Sequence, residues 1–229
     1  MDGLIELIKS IMALAFAFSV SAIFWIGPAL FVIWLIRNAN ASPRNKTPRT
    51  PTTLGERGET AVKRVIGETI ESQQYVINDL IIANGGYTSQ IDHIVINPRG
   101  IFVIETKNYS GRIYGTEDQQ NWTQVLAYGE EKHKIYNPLK QNATHIYNVK
   151  RIVGNLPIHS LVVFVQGNIE YIKAYNVIPL WELRRALESG ETVLSIEQMK
   201  FAYNALLSHK AEITLEEHIR NINERHQHM

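Results

Sequence analysis

The sequence predicts an α/β domain held behind one membrane-spanning helix. Three features predict it. Ile11 to Ile36 contains no charged residue. From Gly55 onward, helical apolar periodicity and short apolar strands follow one another along the chain. Within that part, two strands that are apolar on both faces flank Asn97-Pro98-Arg99-Gly100, so they call for cover on both sides.

The charge-free run comes first. As a helix its 26 positions would extend about 39 Å, against a hydrocarbon core of about 30 Å. Gly27 and Pro28 interrupt it, which membrane helices tolerate. Lys9 leads the run, whereas Arg37, Arg44, Lys46 and Arg49 trail it. The positive-inside rule then places the following domain in the cytoplasm. Residues 1–37 are read as the anchor. The rival is a secretory signal cleaved near Ala39-Asn40-Ala41, giving a secreted protein, but the start is acidic and the apolar run long. Residues 38–54 carry three prolines and no apolar period, so they read as a polar linker.

Composition narrows the chemistry. The 229 residues contain no cysteine, which excludes disulfides, thiolate metal sites and cysteine nucleophiles. Lys and Arg total 23 against 22 Asp and Glu, so no strongly basic character marks a partner. No phosphate loop of the GxxxxGK[ST] kind, no HExxH helix and no GxSxG elbow is present.

The segment GERGETAVKRVIGETI places Ala61, Val62, Val65, Ile66 and Ile70 at helical spacing, with Glu56 and Glu59 near its start. Tyr75 to Ile82 reads as a strand ending at Asn84-Gly85-Gly86. In QIDHIVINPRGIFVIETK, a loop at 97–100 pairs Ile96 with Ile101, Ile94 with Val103, and Asp92 with Glu105. Lys107, two residues on, shares that face, while Ile91, Val95, Phe102 and Ile104 take the other. Two carboxylates and an ammonium at the end of a buried hairpin cost desolvation. A Glu105–Lys107 salt bridge is one explanation, but it leaves Asp92 as surplus charge. A hard divalent cation, magnesium first and manganese as its substitute, satisfies both acids. Both explanations stand at this level.

A helix is expected over 139–153, with Gln141 and His145 on one face and Ile146, Val149 and Val153 on another. Leu161 to Val165 is a buried strand, and Tyr175 to Ile178 a further one before Pro179. An amphipathic stretch at 180–187, a helix over 195–207 and a polar tail from Glu212 complete the reading.

The ordered series GERGE, NDL, QIDHIVI, GIFVIETKNYSG and NPLKQNATH resembles the nuclease-related domain (NERD) family over roughly 55–165. That family is assigned to the PD-(D/E)xK nuclease superfamily. The resemblance implies a restriction-endonuclease-like α/β/α core with a central mixed sheet, which residues 166–229 would complete. It also implies site residues: Asp92 and Glu105 as metal ligands, Glu59 as a third catalytic acid holding the metal directly or through water, and Lys107 and Gln141 as the remaining catalytic positions. Ile91 departs from the proline of the superfamily name. Without the resemblance, Glu59 reads as helix-terminus stabilisation and Gln141 as a solvated helix position.

The expected activity is Mg²⁺-dependent hydrolysis of nucleic-acid phosphodiesters, DNA foremost. Lys63, Arg64, Arg99, Arg112, Lys132 and Lys134 are candidate phosphate contacts. Two alternatives remain: a noncatalytic membrane-associated module binding nucleic acid or protein, and a structural protein with a core salt-bridge network.

Overall fold

The computed structural model describes residues 53–84 and 87–210. The expected anchor at 11–36, the linker to residue 52, the Gly85-Gly86 turn and the polar tail lie outside the described residues. Among the described residues, no helix is long and apolar enough to cross a membrane.

Helix α1 (Leu54–Ile66) starts at Thr53, whose side chain accepts from the Glu56 N–H while Glu56 answers the Thr53 N–H. This reciprocal cap satisfies two otherwise orphaned donors. Gly67, at φ 74°, ends the helix. Ile70 therefore falls beyond it and is exposed, contrary to the periodic expectation.

The sheet is mixed and eight-stranded. Strands β1 (Tyr75–Asn84), β2 (Tyr87–Asn97) and β3 (Gly100–Thr116) form an antiparallel series. β4 (Asn121–Leu126) and β5 (Glu131–Tyr136) extend it. Helix α2 (Pro138–Val153) then leads into β6 (Ile158–Asn168), which lies parallel to β3. A short β7 (Ile172–Lys173) also runs parallel to β3, and β8 (Val177–Pro179) parallel to β6. Helices α3 (Leu183–Glu188) and α4 (Ile196–Ser208) follow.

The seventeen-residue β3 organises everything else. β6 lies along one of its edges. The other edge is shared, by β2 over Gly100–Ile104 and by β4 over Arg112–Tyr114. The stretch between them, where pairing with β2 stops, contains Glu105, Thr106 and Lys107.

Both faces of the inner sheet are covered, as the doubly apolar hairpin requires. On one, Ile94, Ile96, Ile101 and Val103 pack with Val149 and Val153 of α2 and Met199, Ala202 and Leu206 of α4. On the other, Val95, Phe102 and Ile104 pack with Val62 and Ile66 of α1 and Leu183 and Leu187 of α3. Each of the larger of these side chains contributes about 1.5–3 kcal/mol by leaving water. The arrangement is the expected α/β/α sandwich.

The outer part differs. Ile113, Trp122 and Ile135 pack with Val162 and Phe164 of β6, with Leu139 of α2 against them. The Trp122 indole donates to the Thr116 carbonyl at 2.8 Å. Its ring occupies the space a side chain at Gly115 would need. The sequence reading does not reach strands β4 and β5, because one face of each is mostly polar and their apolar content is sparse.

Candidate metal and nucleic-acid site

The hairpin register agrees with expectation over most of its length. Ile96 pairs with Ile101 and Ile94 with Val103, and Asn97 also pairs with Gly100, so the turn tightens to Pro98-Arg99. Pairing ends at His93–Ile104, one rung before Asp92 would meet Glu105. Instead, Asp92 Oδ2 accepts the backbone N–H of Thr106 at 2.8 Å. The Asp92 carboxylate thus caps β3 where the ladder opens.

The cause lies in β1. Asp79 adopts φ 54°, and the Asp79–Asp92 rung is skipped although the register is kept on both sides. Alternation slips in both strands at once. Ile77 and Leu80 therefore enter the same core cluster, as do Ile91 and Ile94. Ile91 was expected on the face opposite Ile94, and the break at this rung is why it is not.

Around Glu105 the side chains converge. Lys107 Nζ donates to Glu105 Oε1 at 2.6 Å and to Gln141 Oε1 at 3.1 Å. His145 Nε2 stands 3.2 Å from Glu105 Oε2, within ion-pair range. Neither of those two atoms completes an aligned hydrogen bond. The other ring nitrogen of His145, Nδ1, lies 2.7 Å from Ser89 Oγ. Gln141 reaches Lys107 and His145 reaches Glu105 from the same side because they are one helical turn apart on α2. That helix is held by the Asn137 cap and Pro138 at its first position. Next to Gln141, the buried Asn142 ties α2 to the sheet through the Val103 carbonyl and Ser160 hydroxyl, both at 2.9 Å.

Glu59 approaches from the opposite helix layer. Gly58 before it packs on β3, where an added Cβ would stand 2.8 Å from the Asn108 Cβ. The Asn108 amide donates to the Leu54 carbonyl, holding the start of α1 against the strand.

Electrostatics separate these acids. Burial, then the Glu105 charge, push Asp92 up to about 8, against the opposing Thr106 N–H. Burial also acts to raise Glu105, but His145 and the Lys107 ammonium overcome it and hold the carboxyl below its usual value. Burial acts to lower Lys107, and the Glu105 carboxylate reverses this, so Lys107 stays an ammonium. Glu59 is raised by burial and by Asp79.

Among the described residues, no three His, Asp or Glu side chains are already gathered as a metal cage. The donor chemistry nevertheless fits a hard divalent cation. Asp92 carries an uncompensated burial cost, and Glu105 Oε2 is a buried acceptor without an aligned donor. Asp92 and Glu105 would be the ligands, with Glu59 behind them.

The candidate phosphate contacts scatter. Lys63 is held by Asp79 at 2.7 Å. Arg99 bonds Thr192 in the Pro98-Arg99 turn, about 20 Å along β3 from Glu105. Arg64 is exposed on α1. Arg112, Lys132 and Lys134 lie together in the outer sheet.

Sequence reasoning missed two groups. Ser89 gave no signal before its contact with His145 was seen. His93, fully buried, lies 2.7 Å through Nδ1 from Asn78 Oδ1. Burial, then nearby Lys63, lower its pKa to about 4, so it is a neutral core imidazole beside the site.

The class these features define is that of nuclease-like α/β/α domains with a carboxylate–lysine centre on adjacent strands. The family model described as "Nuclease-related domain" (NERD) matches residues 54–165. A protein of Bacillus anthracis, described only as uncharacterized, is 32% identical over 170 residues, covering 69% of this chain and 77% of that one. The chain belongs to the nuclease-related domain family. No solved structure matches it.

Proposed function

We propose that the protein is a membrane-anchored, metal-dependent nuclease that hydrolyses nucleic-acid phosphodiester bonds, DNA foremost. The observation that carries this reading is the buried cluster in which Lys107 bonds both Glu105 and Gln141 and His145 stands 3.2 Å from Glu105, beside Asp92 at the break between β2 and β3.

When bound, Mg²⁺ or Mn²⁺ would supply Lewis-acid polarisation of the scissile phosphate and a more acidic water. The chain's residues have separable tasks. Asp92 and Glu105 hold hard-oxygen ligation at the open end of the hairpin. Lys107, kept protonated, donates to a phosphate oxygen and offsets negative charge as it develops. That assignment favours charge stabilisation over proton abstraction. Gln141 fixes the Lys107 ammonium through its carbonyl oxygen, and Ser89 with His145 fixes the far side of Glu105. Glu59 adds negative charge from α1 and suits contact through water. The uncharged stretch 11–36, with its trailing cations, supports an anchor with the domain on the cytoplasmic side.

One observation favours the noncatalytic binding module: the three acids are not pre-gathered around a cation position. A cleavage assay separates the two. Full-length protein in detergent is incubated with supercoiled, linear and single-stranded DNA, with and without Mg²⁺. The nuclease reading expects metal-dependent cleavage that Asp92→Ala abolishes and Lys107→Ala strongly slows while both variants remain folded. Equal cleavage by Asp92→Ala and wild type would defeat it.

A further inference from the structure

Among the described residues, no helix packs over one face of the outer sheet. Ile113, Trp122 and Ile135 point to the packed side, so their neighbours in sequence point the other way. The register then aligns Arg112 of β3 with Val125 of β4 and Lys132 of β5 in one row. The next row aligns Tyr114, Thr123 and Lys134. Directly paired residues share a face, so three cations stand on it together. At its β7 edge, Ile172 joins the packed side, which turns Tyr171 and Lys173 outward. Tyr171 stacks on Tyr114, with ring centroids 4.6 Å apart and planes 22° from parallel. Tyr171 is exposed, as are Lys132, Lys134 and Lys173. The acid in β5, Glu131, falls on the opposite alternation and lies 3.7 Å from His133.

We infer that this face is a platform for single-stranded nucleic acid, with Arg112, Lys132, Lys134 and Lys173 on phosphates and the Tyr171–Tyr114 stack under an unpaired base. This rests on the nucleic-acid reading above and narrows its substrate. Charge complementarity selects a polyanion. The linker at 38–52 is excluded as occupant by its own charge, since it carries Arg44, Lys46 and Arg49 and no acid. The stacked tyrosines select unpaired bases, because a duplex keeps its base faces buried while a single strand offers them to aromatic rings. Continuity supports the same choice. Arg112 and Lys107 are on one strand, no more than about 17 Å apart even if fully extended, which is a span of a few nucleotides.

The test is binding without cleavage. Full-length protein in detergent with EDTA is titrated into a fluorescein-labelled oligothymidylate and, separately, into a labelled duplex of equal length, with anisotropy as readout. Tighter binding of the single strand is expected. Lys132→Glu combined with Lys134→Glu should weaken it about tenfold or more and flatten the salt dependence by about 1.4 in log–log slope. Tyr171→Ala should weaken it between about fivefold and a hundredfold, while Tyr171→Phe retains it, at unchanged melting temperature. Binding unaffected by the sheet variants, or stronger for duplex, overturns the platform and leaves the nuclease reading standing. Loss of capture of phosphatidylglycerol vesicles in those variants, with oligonucleotide binding unchanged, makes the face a lipid contact and also overturns it. No oligonucleotide binding by any form overturns the platform, and the Mg²⁺-dependent cleavage assay then decides the nuclease reading separately.

Discussion

The inner and outer parts of the sheet handle charge in opposite ways. In the inner part, Glu105 and Lys107 lie between two helical layers, and each is met by partners at 2.6–3.2 Å. In the outer part, Arg112, Lys132 and Lys134 lie on a bare face. Burial makes the inner charges expensive, so they need partners and their protonation shifts. Solvent makes the outer charges cheap, so they are free to meet a diffusing polyanion. The two regions thus present charge in opposite settings, and β3 runs through both.

The largest effect should come from the outer anchor. Trp122 is fully buried, stacked on Phe164 and hydrogen-bonded to Thr116. Trp122→Ala should cost about 3–5 kcal/mol of unfolding free energy, measured by urea titration. If the loss is under about 1 kcal/mol, the outer sheet is not packed as described.

Next is the inner centre. Lys107→Ala should lower the Mg²⁺-dependent cleavage rate about a hundred- to a thousandfold, with folding intact by circular dichroism. Lys107→Arg keeps the charge but not the compact ammonium geometry, so it should recover only part of the rate. Full recovery would show that charge alone suffices.

The third contrast concerns pH. Asp92 ordinarily ionises near 3.8 but is held to about 8 in the fold. Between those values the folded chain retains a proton that the unfolded chain has lost. Metal-free stability should therefore fall as pH rises from about 4 to 8 and level off above. Asp92→Asn removes that cost and should stabilise the metal-free protein by on the order of 2 kcal/mol at pH 8, with no gain at pH 3.5. Thermal melts in EDTA at the two pH values measure it. Added Mg²⁺ should raise the melting point of wild type and not of the variant, and the opposite pattern would remove Asp92 from the ligand set.

The smallest effect lies at the β4–β5 tip. Ala127 and Tyr128 adopt φ 46° and 56°, a region costly for residues with a Cβ. Ala127→Gly should gain about 0.5–1 kcal/mol, read from the urea midpoint, without changing cleavage. A loss instead would mean that the tip is held by contacts worth more than its strain.

The contrast also explains what could be read in advance. Runs such as IVI and IFVI are apolar on both faces and bounded by a turn, so the hairpin, its register and its double cover were legible. The i, i+4 spacing of Gln141 and His145 likewise gave their shared face. β4 and β5 were not legible, because Trp122 and Ile135 are nearly their whole buried content and most of the remaining positions are polar. The reversal of Ile91 was hidden for another reason. It depends on a left-handed Asp79 in a neighbouring strand, and nothing in the order of residues near 91 encodes that. The family resemblance named Glu59 and Gln141 where local chemistry could not. The role of Ser89 needed the third dimension.

Gly58 has a consequence for its neighbour. Because position 58 has no side chain, the helix rests on Asn108 at a gap narrower than a methyl group allows. How far the Glu59 carboxylate reaches inward is thus set by an atom missing one residue earlier. The two positions are coupled: enlarge the first and the second is pushed outward, unless position 108 shrinks to match.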